Sequence, residues 1–138
     1  MMDERIEMKV SNGVSEKDTF KKKILLIEDE ESLRLLYQEE LEEFGYDVST
    51  ANNGKEALKK LIKEKPDLII LDIVMPEMDG IETLGRILSI KKNIPIILYT
   101  AHPGYQNDFM SWAADAYILK STDLKELKEK IEELLEKK

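Results

Sequence analysis

KPDLIILDIVMPEMDGIETL, residues 65–84, decides the fold. Pro66 and Asp67 make a turn, and Leu68-Ile69-Ile70-Leu71 is a continuous apolar run of strand length. Such a run suits a strand covered on both faces by helices. Asp72 follows at once, Met75-Pro76 blocks regular hydrogen bonding, and Asp79-Gly80 opens a helix through Ile81, Leu84, Ile87 and Leu88. An acid at the C-terminal end of a buried parallel strand lies where open α/β sheets place their ligands.

Working outward, Ile24-Leu25-Leu26-Ile27 is an earlier buried strand that runs into Glu28-Asp29-Glu30-Glu31. Leu33, Leu36, Tyr37, Leu41 and Phe44 follow with helical spacing, and Gly45 ends that helix. Asp47 to Ala51 forms a shorter strand. Asn53 caps the next helix with Glu56 three residues on, and Ala57, Leu58, Leu61 and Ile62 supply its apolar face. Beyond residue 84, Ile94 to Tyr99 is a strand ending at Thr100, and Tyr105 to Ala114 a short helical segment. Ala116 to Leu119 is the fifth strand, ending at Lys120. Asp123 with Glu126 caps a final helix bearing Leu124, Leu127, Ile131, Leu134 and Leu135.

Strand and helix thus alternate five times. Short connections and right-handed crossovers then favour an α/β fold: a three-layer, doubly wound (βα)5 sandwich with a parallel five-stranded sheet. The strand order 2-1-3-4-5 is adopted by analogy with flavodoxin-like sheets. Residues 1–22 read as an extension to a domain over 23–138. Ile6, Met8 and Val10 alternate there as in a short strand, Ser11-Asn12-Gly13 reads as a turn, and Lys21-Lys22-Lys23 is a solvated lead-in.

Composition narrows the functional classes. At 138 residues the chain suits one domain with one substantial core. No apolar run approaches the ~20 residues of a membrane span, and the charged MMDERIEMKV start lacks a signal-peptide centre, so the expected compartment is the cytoplasm. A net charge of −8 without a basic stripe argues against direct nucleic-acid binding. The absence of Cys removes disulfides, zinc-thiolate centres and cysteine nucleophiles.

The strand ends then collect polar groups at one sheet edge: Glu28 and Asp29 after strand one, Asp72 after strand three, Thr100 after strand four, Lys120 after strand five. Two carboxylates ~4 Å apart repel by roughly 4 kcal/mol at an effective dielectric near 20, so three acids call for a cation or raised pKa values. Oxygen donors without His or Cys suit Mg²⁺. One Lys and one Thr nearby suit a phosphoryl group, the first by charge and the second by hydrogen bonding. Together they describe an Asp nucleophile attacking phosphorus.

ILLIEDE at 24–30, DIVMPEMDG at 72–80, YTA at 99–101 and YILK at 117–120 carry a resemblance over Lys22 to Lys137. In order and spacing the chain resembles the receiver domain of two-component response regulators, of the stand-alone, single-domain type. The resemblance implies Asp72 as phosphoacceptor, with Glu28, Asp29 and Asp72 holding Mg²⁺ (Mn²⁺ can substitute) and the Val74 backbone carbonyl as a further ligand. It implies Thr100 as the switch hydroxyl, Tyr117 as the switch aromatic and Lys120 as partner of phosphate and Asp72. It also implies a sensor histidine kinase or histidine phosphotransfer protein as donor. That donor docks on the first helix and the loop after strand five, around Leu33 to Leu36 and Ser121. Such a protein is a signalling phosphoacceptor rather than an enzyme: it relays the phosphoryl group or switches a downstream protein partner, as a monomer or a weak phosphorylation-dependent dimer.

The pattern is departed from in places. Glu28 stands where many members have Asp, Ser121 where most have Pro, and the interval from Thr100 to Tyr117 is short and carries His102-Pro103-Gly104. His102 is the only His. Its bland reading is an exposed loop residue; its sharper one is a modulator of acyl-phosphate lifetime, two residues past Thr100. Asp79 reads as a helix N-cap, Trp112, Met75 and Met78 as packing, and Glu39-Glu40-Glu42-Glu43 as a solvated face. Three rival functions compare as follows. A haloacid-dehalogenase-type phosphatase needs a second acid where Val74 stands. A flavodoxin-like cofactor carrier needs a hydroxyl-rich loop where Glu28 to Glu31 would repel phosphate. A receiver-like interaction module that works without phosphorylation stays open at this point.

Overall fold

A computed structural model describes residues 21–73, 80–90, 93–101, 113–121 and 123–136. In chain order its elements are β1 (Lys23–Ile27), α1 (Glu31–Glu43), β2 (Asp47–Ala51), α2 (Gly54–Glu64) and β3 (Leu68–Leu71). They continue with α3 (Gly80–Ile90), β4 (Ile96–Thr100), β5 (Ala116–Leu119) and α4 (Lys125–Glu136). Every strand pairing is parallel and the sheet order is β2-β1-β3-β4-β5, as expected. Expectations for residues 1–20, Val74, Met75, Met78, Asp79, His102, Trp112 and most of Tyr105–Ala114 lie outside the described residues.

Period-two alternation divides the sheet's side chains between two cores. Ile24, Leu26, Leu68, Ile70, Ile97 and Ile118 pack beneath α1 and α4 with Tyr37, Leu41, Leu127 and Ile131. Leu25, Ile27, Ile69, Leu71, Ile96 and Leu98 pack beneath α2 and α3 with Ala57, Leu61, Leu84 and Ile87. A strand buried on both faces has no polar face to show, which is why LIIL at 68–71 is apolar throughout.

Helix ends follow local chemistry. Gly45, at φ +103°, takes the left-handed conformation that turns the chain after α1. The Asn53 side chain accepts the Glu56 amide at 2.8 Å, while the Glu56 carboxylate accepts the Asn52 amide at 2.7 Å. The Asp123 carboxylate accepts the Lys125 amide at 2.6 Å, so α4 starts at Lys125 and Leu124 precedes it.

The structure corrects three local expectations. Ile62 is exposed, because it lies a further 100° round α2 from Leu61, past the edge of the buried stripe. Leu36 is exposed because α1 and α4 part above it and leave a groove. Strand β4 starts at Ile96 rather than Ile94: Pro95 has no amide proton for a ladder, although its carbonyl still accepts from Ile69 at 3.0 Å.

Candidate phosphoacceptor site

Strand register builds the site. Ile27 pairs with Leu71, so Glu28 and Asp72 leave neighbouring strands at the same level, and the Asp72 amide donates to the Ile27 carbonyl at 3.1 Å. Thr100 pairs with Leu119, and the Lys120 amide donates to the Thr100 carbonyl at 2.7 Å. Alternation sets direction too. Glu28, Asp72 and Lys120 each follow by two a residue of the α1/α4 core (Leu26, Ile70 and Ile118), so their side chains emerge together on that side. Thr100 shares the phase of Leu98 and lies on the α2/α3 side, fully buried.

The Lys120 ammonium bridges the acids, with Nζ 2.6 Å from Glu28 Oε1 and 3.0 Å from Asp72 Oδ2. Glu28 is 2% exposed and Asp72 7%; Asp29 is the more open of the three acids. Among the described residues, Glu28, Asp29 and Asp72 each bring a carboxylate oxygen within 4.8 Å of the others. Three negative charges against one ammonium leave a local excess of two, which a single divalent cation would cancel. The donor set is oxygen only, as Mg²⁺ prefers.

Protonation follows from the burial of charge. Burial pushes the Glu28 carboxyl above its ordinary range, against the pull of Lys120. Burial acts to lower the Lys120 pKa, but hydrogen bonds and charge from Glu28 and Asp72 outweigh it, and the net shift is upward. Lys120 is therefore a firmly held cation at neutral pH. The extra methylene of Glu28 is used to reach it.

Tyr117 is half-buried and packs against the α2/α3 core, on the same side of the sheet as Thr100. The Lys120–Ser121 peptide is not cis, and the described residues contain no cis bond. Ser121 instead closes a turn through its hydroxyl, which donates to the Asp123 carbonyl at 2.6 Å.

Three neighbours of the site were not singled out for it by sequence reasoning. Arg34 Nη1 donates to the Glu28 carbonyl at 3.0 Å and the Asp29 carbonyl at 3.4 Å, fixing the turn that presents both acids. The only local signal is a cation in the first turns of a helix, where acids are usual. Tyr37 and Tyr99 pack edge to face, centroids 5.4 Å apart and planes at 66°, with Lys120 Nζ 5.9 Å from the Tyr37 centroid. Tyr37 also lines the α1/α4 groove, about 890 Å³, with Leu33, Leu36, Phe44, Lys120 and Ser121.

This fold and edge are those of a doubly wound phosphoacceptor class, and comparison with known proteins places the chain within it. Residues 24–132 match the response regulator receiver domain family, and the chain belongs to that family. It is 41% identical over 116 residues to the alkaline phosphatase synthesis transcriptional regulatory protein PhoP of Bacillus subtilis, covering 83% of this chain and 48% of that protein. It is 44% identical over 80 residues to sporulation initiation phosphotransferase F of the same organism, covering 58% of this chain and 64% of that protein. It thus spans about half the length of the transcriptional regulators it matches. Among solved structures, response regulator TrrA of Thermotoga maritima in complex with Mg²⁺-BeF is 50% identical with TM-score 0.80, covering 82% of this chain and 98% of that one. TrrA in complex with histidine kinase ThkA is 51% identical with TM-score 0.78, covering 83% of this chain and 98% of that one.

Proposed function

We propose that Asp72 accepts a phosphoryl group from a phosphohistidine of a sensor kinase or phosphotransfer protein. The observation that carries this reading is Lys120 hydrogen-bonded to both Glu28 and Asp72, with Asp29 completing the acid cluster. An Asp72 carboxylate oxygen attacks phosphorus as the P–N bond to the donor imidazole breaks, and the bonding pair returns to the ring nitrogen. Lys120 donates to a phosphoryl oxygen and offsets the charge that gathers there. Glu28, Asp29 and Asp72 would hold Mg²⁺ or Mn²⁺, with the Val74 carbonyl as a further ligand; the bound ion supplies charge neutralisation. The oxygen-only donor set and the convergence of three carboxylates support that assignment.

The product adds about −1.5 to −2 charges beside Thr100, whose hydroxyl then turns to the phosphoryl group. Tyr117 moves inward behind it and changes the surface a downstream protein sees. The donor docks in the α1/α4 groove, where Leu33, Leu36 and Tyr37 meet Ser121. The match to TrrA over 98% of that chain supports the receiver reading. In that reading the protein acts in the cytoplasm as relay or partner switch, monomeric or weakly dimeric once phosphorylated. Residues 1–22 are an extension to the receiver domain, and a role for His102 in the phosphate lifetime is the alternative to a plain loop residue. Among the described residues no helix is long and apolar enough to cross a membrane.

Intact mass after incubation with acetyl phosphate tests the reading. One phosphoryl group is added with Mg²⁺, none with chelator, and none in Asp72→Asn. A folded wild type that stays unmodified in Mg²⁺ sinks it in favour of an interaction module working without phosphorylation. Slower or faster decay in His102→Ala separates the lifetime role from a plain loop residue.

A further inference from the structure

Lys120 is held from more than one side. Its ammonium donates to Glu28 and Asp72, while the face of Tyr37 stands 5.9 Å away, within the range at which a cation is drawn to a ring. Tyr37 is itself fixed. It is 4% exposed, its ring meets Tyr99 edge to face, and Tyr99 is the residue before Thr100. The Tyr99 hydroxyl is buried, with the Ser121 backbone and the Tyr37 side chain as its polar neighbours, so the two rings are fixed against each other inside the fold. Burial pushes the Tyr37 phenol up to about 12, which keeps it neutral, and the Glu28 and Asp72 carboxylates are the anions paired with Lys120 among the described residues.

We propose that Tyr37 is a positioning residue for Lys120, its ring walling the ammonium onto the Glu28 and Asp72 carboxylates so that it faces the incoming phosphoryl group. This rests on the phosphoacceptor reading of Asp72. Tyr37 also lines the α1/α4 groove, so a protein donor could feel its loss through docking alone. A small phosphodonor makes no use of the groove, and its rate isolates the positioning role.

The experiment measures the phosphorylation rate with acetyl phosphate and Mg²⁺ for wild type, Tyr37→Phe, Tyr37→Leu, Lys120→Ala and the Tyr37→Leu/Lys120→Ala double variant. Each is first shown by circular dichroism to be folded at the assay temperature. Tyr37→Phe keeps the ring and stays within about two-fold of wild type. Tyr37→Leu keeps apolar bulk without the ring and slows the reaction roughly three- to ten-fold. In the Lys120→Ala background the same substitution has no further effect, since the group it positions is gone. A wild-type rate in Tyr37→Leu, or an equal loss with and without Lys120, overturns the proposal. A second readout stands apart from phosphorylation: the NMR signals of the Lys120 ε-methylene are displaced by the ring current in wild type and Tyr37→Phe and revert in Tyr37→Leu. Identical ε-methylene shifts in all three overturn the proposal even if no phosphoryl group is ever accepted, whereas an unphosphorylated wild type with the ring-current displacement intact indicts only the phosphoacceptor reading.

Discussion

Glu28 shows how one residue serves two demands at this sheet edge. Its carboxylate is buried where a charge is costly, and it is kept in place by Lys120 at 2.6 Å and by the Glu30 amide at 3.1 Å. Around it the tyrosines define a response to alkali. Burial raises the Tyr37 phenol from 10.0 to about 12, and raises Tyr46 and Tyr99 as well. Below pH 10 Tyr37 is protonated in folded and unfolded chains alike, and its contribution is fully present. Between about 10 and 12 only the unfolded chain ionises it, so stability falls as pH rises through that window. The Tyr37 share is on the order of 2 kcal/mol. Lys120, whose pKa is also raised, acts in the same direction: its deprotonation removes the cation between two acids. Urea midpoints measured from pH 9 to 12 should therefore drop, with a shallower drop in Tyr37→Phe, where Tyr46 and Tyr99 still titrate. An unchanged slope in that variant would mean that the buried phenol is not what the folded state protects.

At the scale of elements, α3 starts close against the residue that follows Asp72. The Gly80 amide donates to the Ile73 carbonyl at 2.6 Å, and a Cβ on Gly80 would fall on the backbone of Ile73 and the Asp72 carbonyl. Nothing flexible stands there to yield. Gly80→Ala must push α3 away from the residue after Asp72, at a cost of about 1–3 kcal/mol in line with other overpacked sites. The expected result is a lower urea midpoint together with weaker Mg²⁺ binding by calorimetry; full stability in the variant would show that α3 can shift freely. This junction was readable from DG at 79–80 as a helix start, and LIIL as a buried strand, because local periodicity and turn chemistry decide both. The two-core alternation that delivers Glu28, Asp72 and Lys120 to one side is equally local. Tyr37 against Tyr99 and Lys120 was not readable, since it depends on how far α1 stands off the sheet. Leu36 and Ile62 were misjudged for a related reason: helical spacing shows which residues share a face, whereas packing decides how wide the buried stripe is.

The whole molecule carries a net charge of −8, and its site adds a local excess of acid within that field. Two kinds of salt effect follow, and they separate. Screening shortens the reach of surface charges to about 8 Å at physiological ionic strength, so NaCl should raise the melting temperature modestly by easing repulsion over the whole surface. Mg²⁺ at matched ionic strength should raise it further, because an ion that binds the folded site and not the unfolded chain stabilises by mass action, about 2.7 kcal/mol at a hundred times its dissociation constant. Asp29 is the more open acid of the cluster and does not contact Lys120 as Glu28 and Asp72 do, so Asp29→Asn is the variant that removes a ligand while keeping the buried bridge. In chelator it should melt no lower than wild type, having lost one of three mutually repelling charges. In Mg²⁺ it should lose the extra increment and keep the NaCl response. Melting curves for both proteins in chelator, NaCl and MgCl₂ decide the matter: an equal Mg²⁺ increment in the two would place the cation elsewhere on this acidic surface, and the oxygen cluster at the sheet edge would then be an anion-rich pocket organised by Lys120 alone.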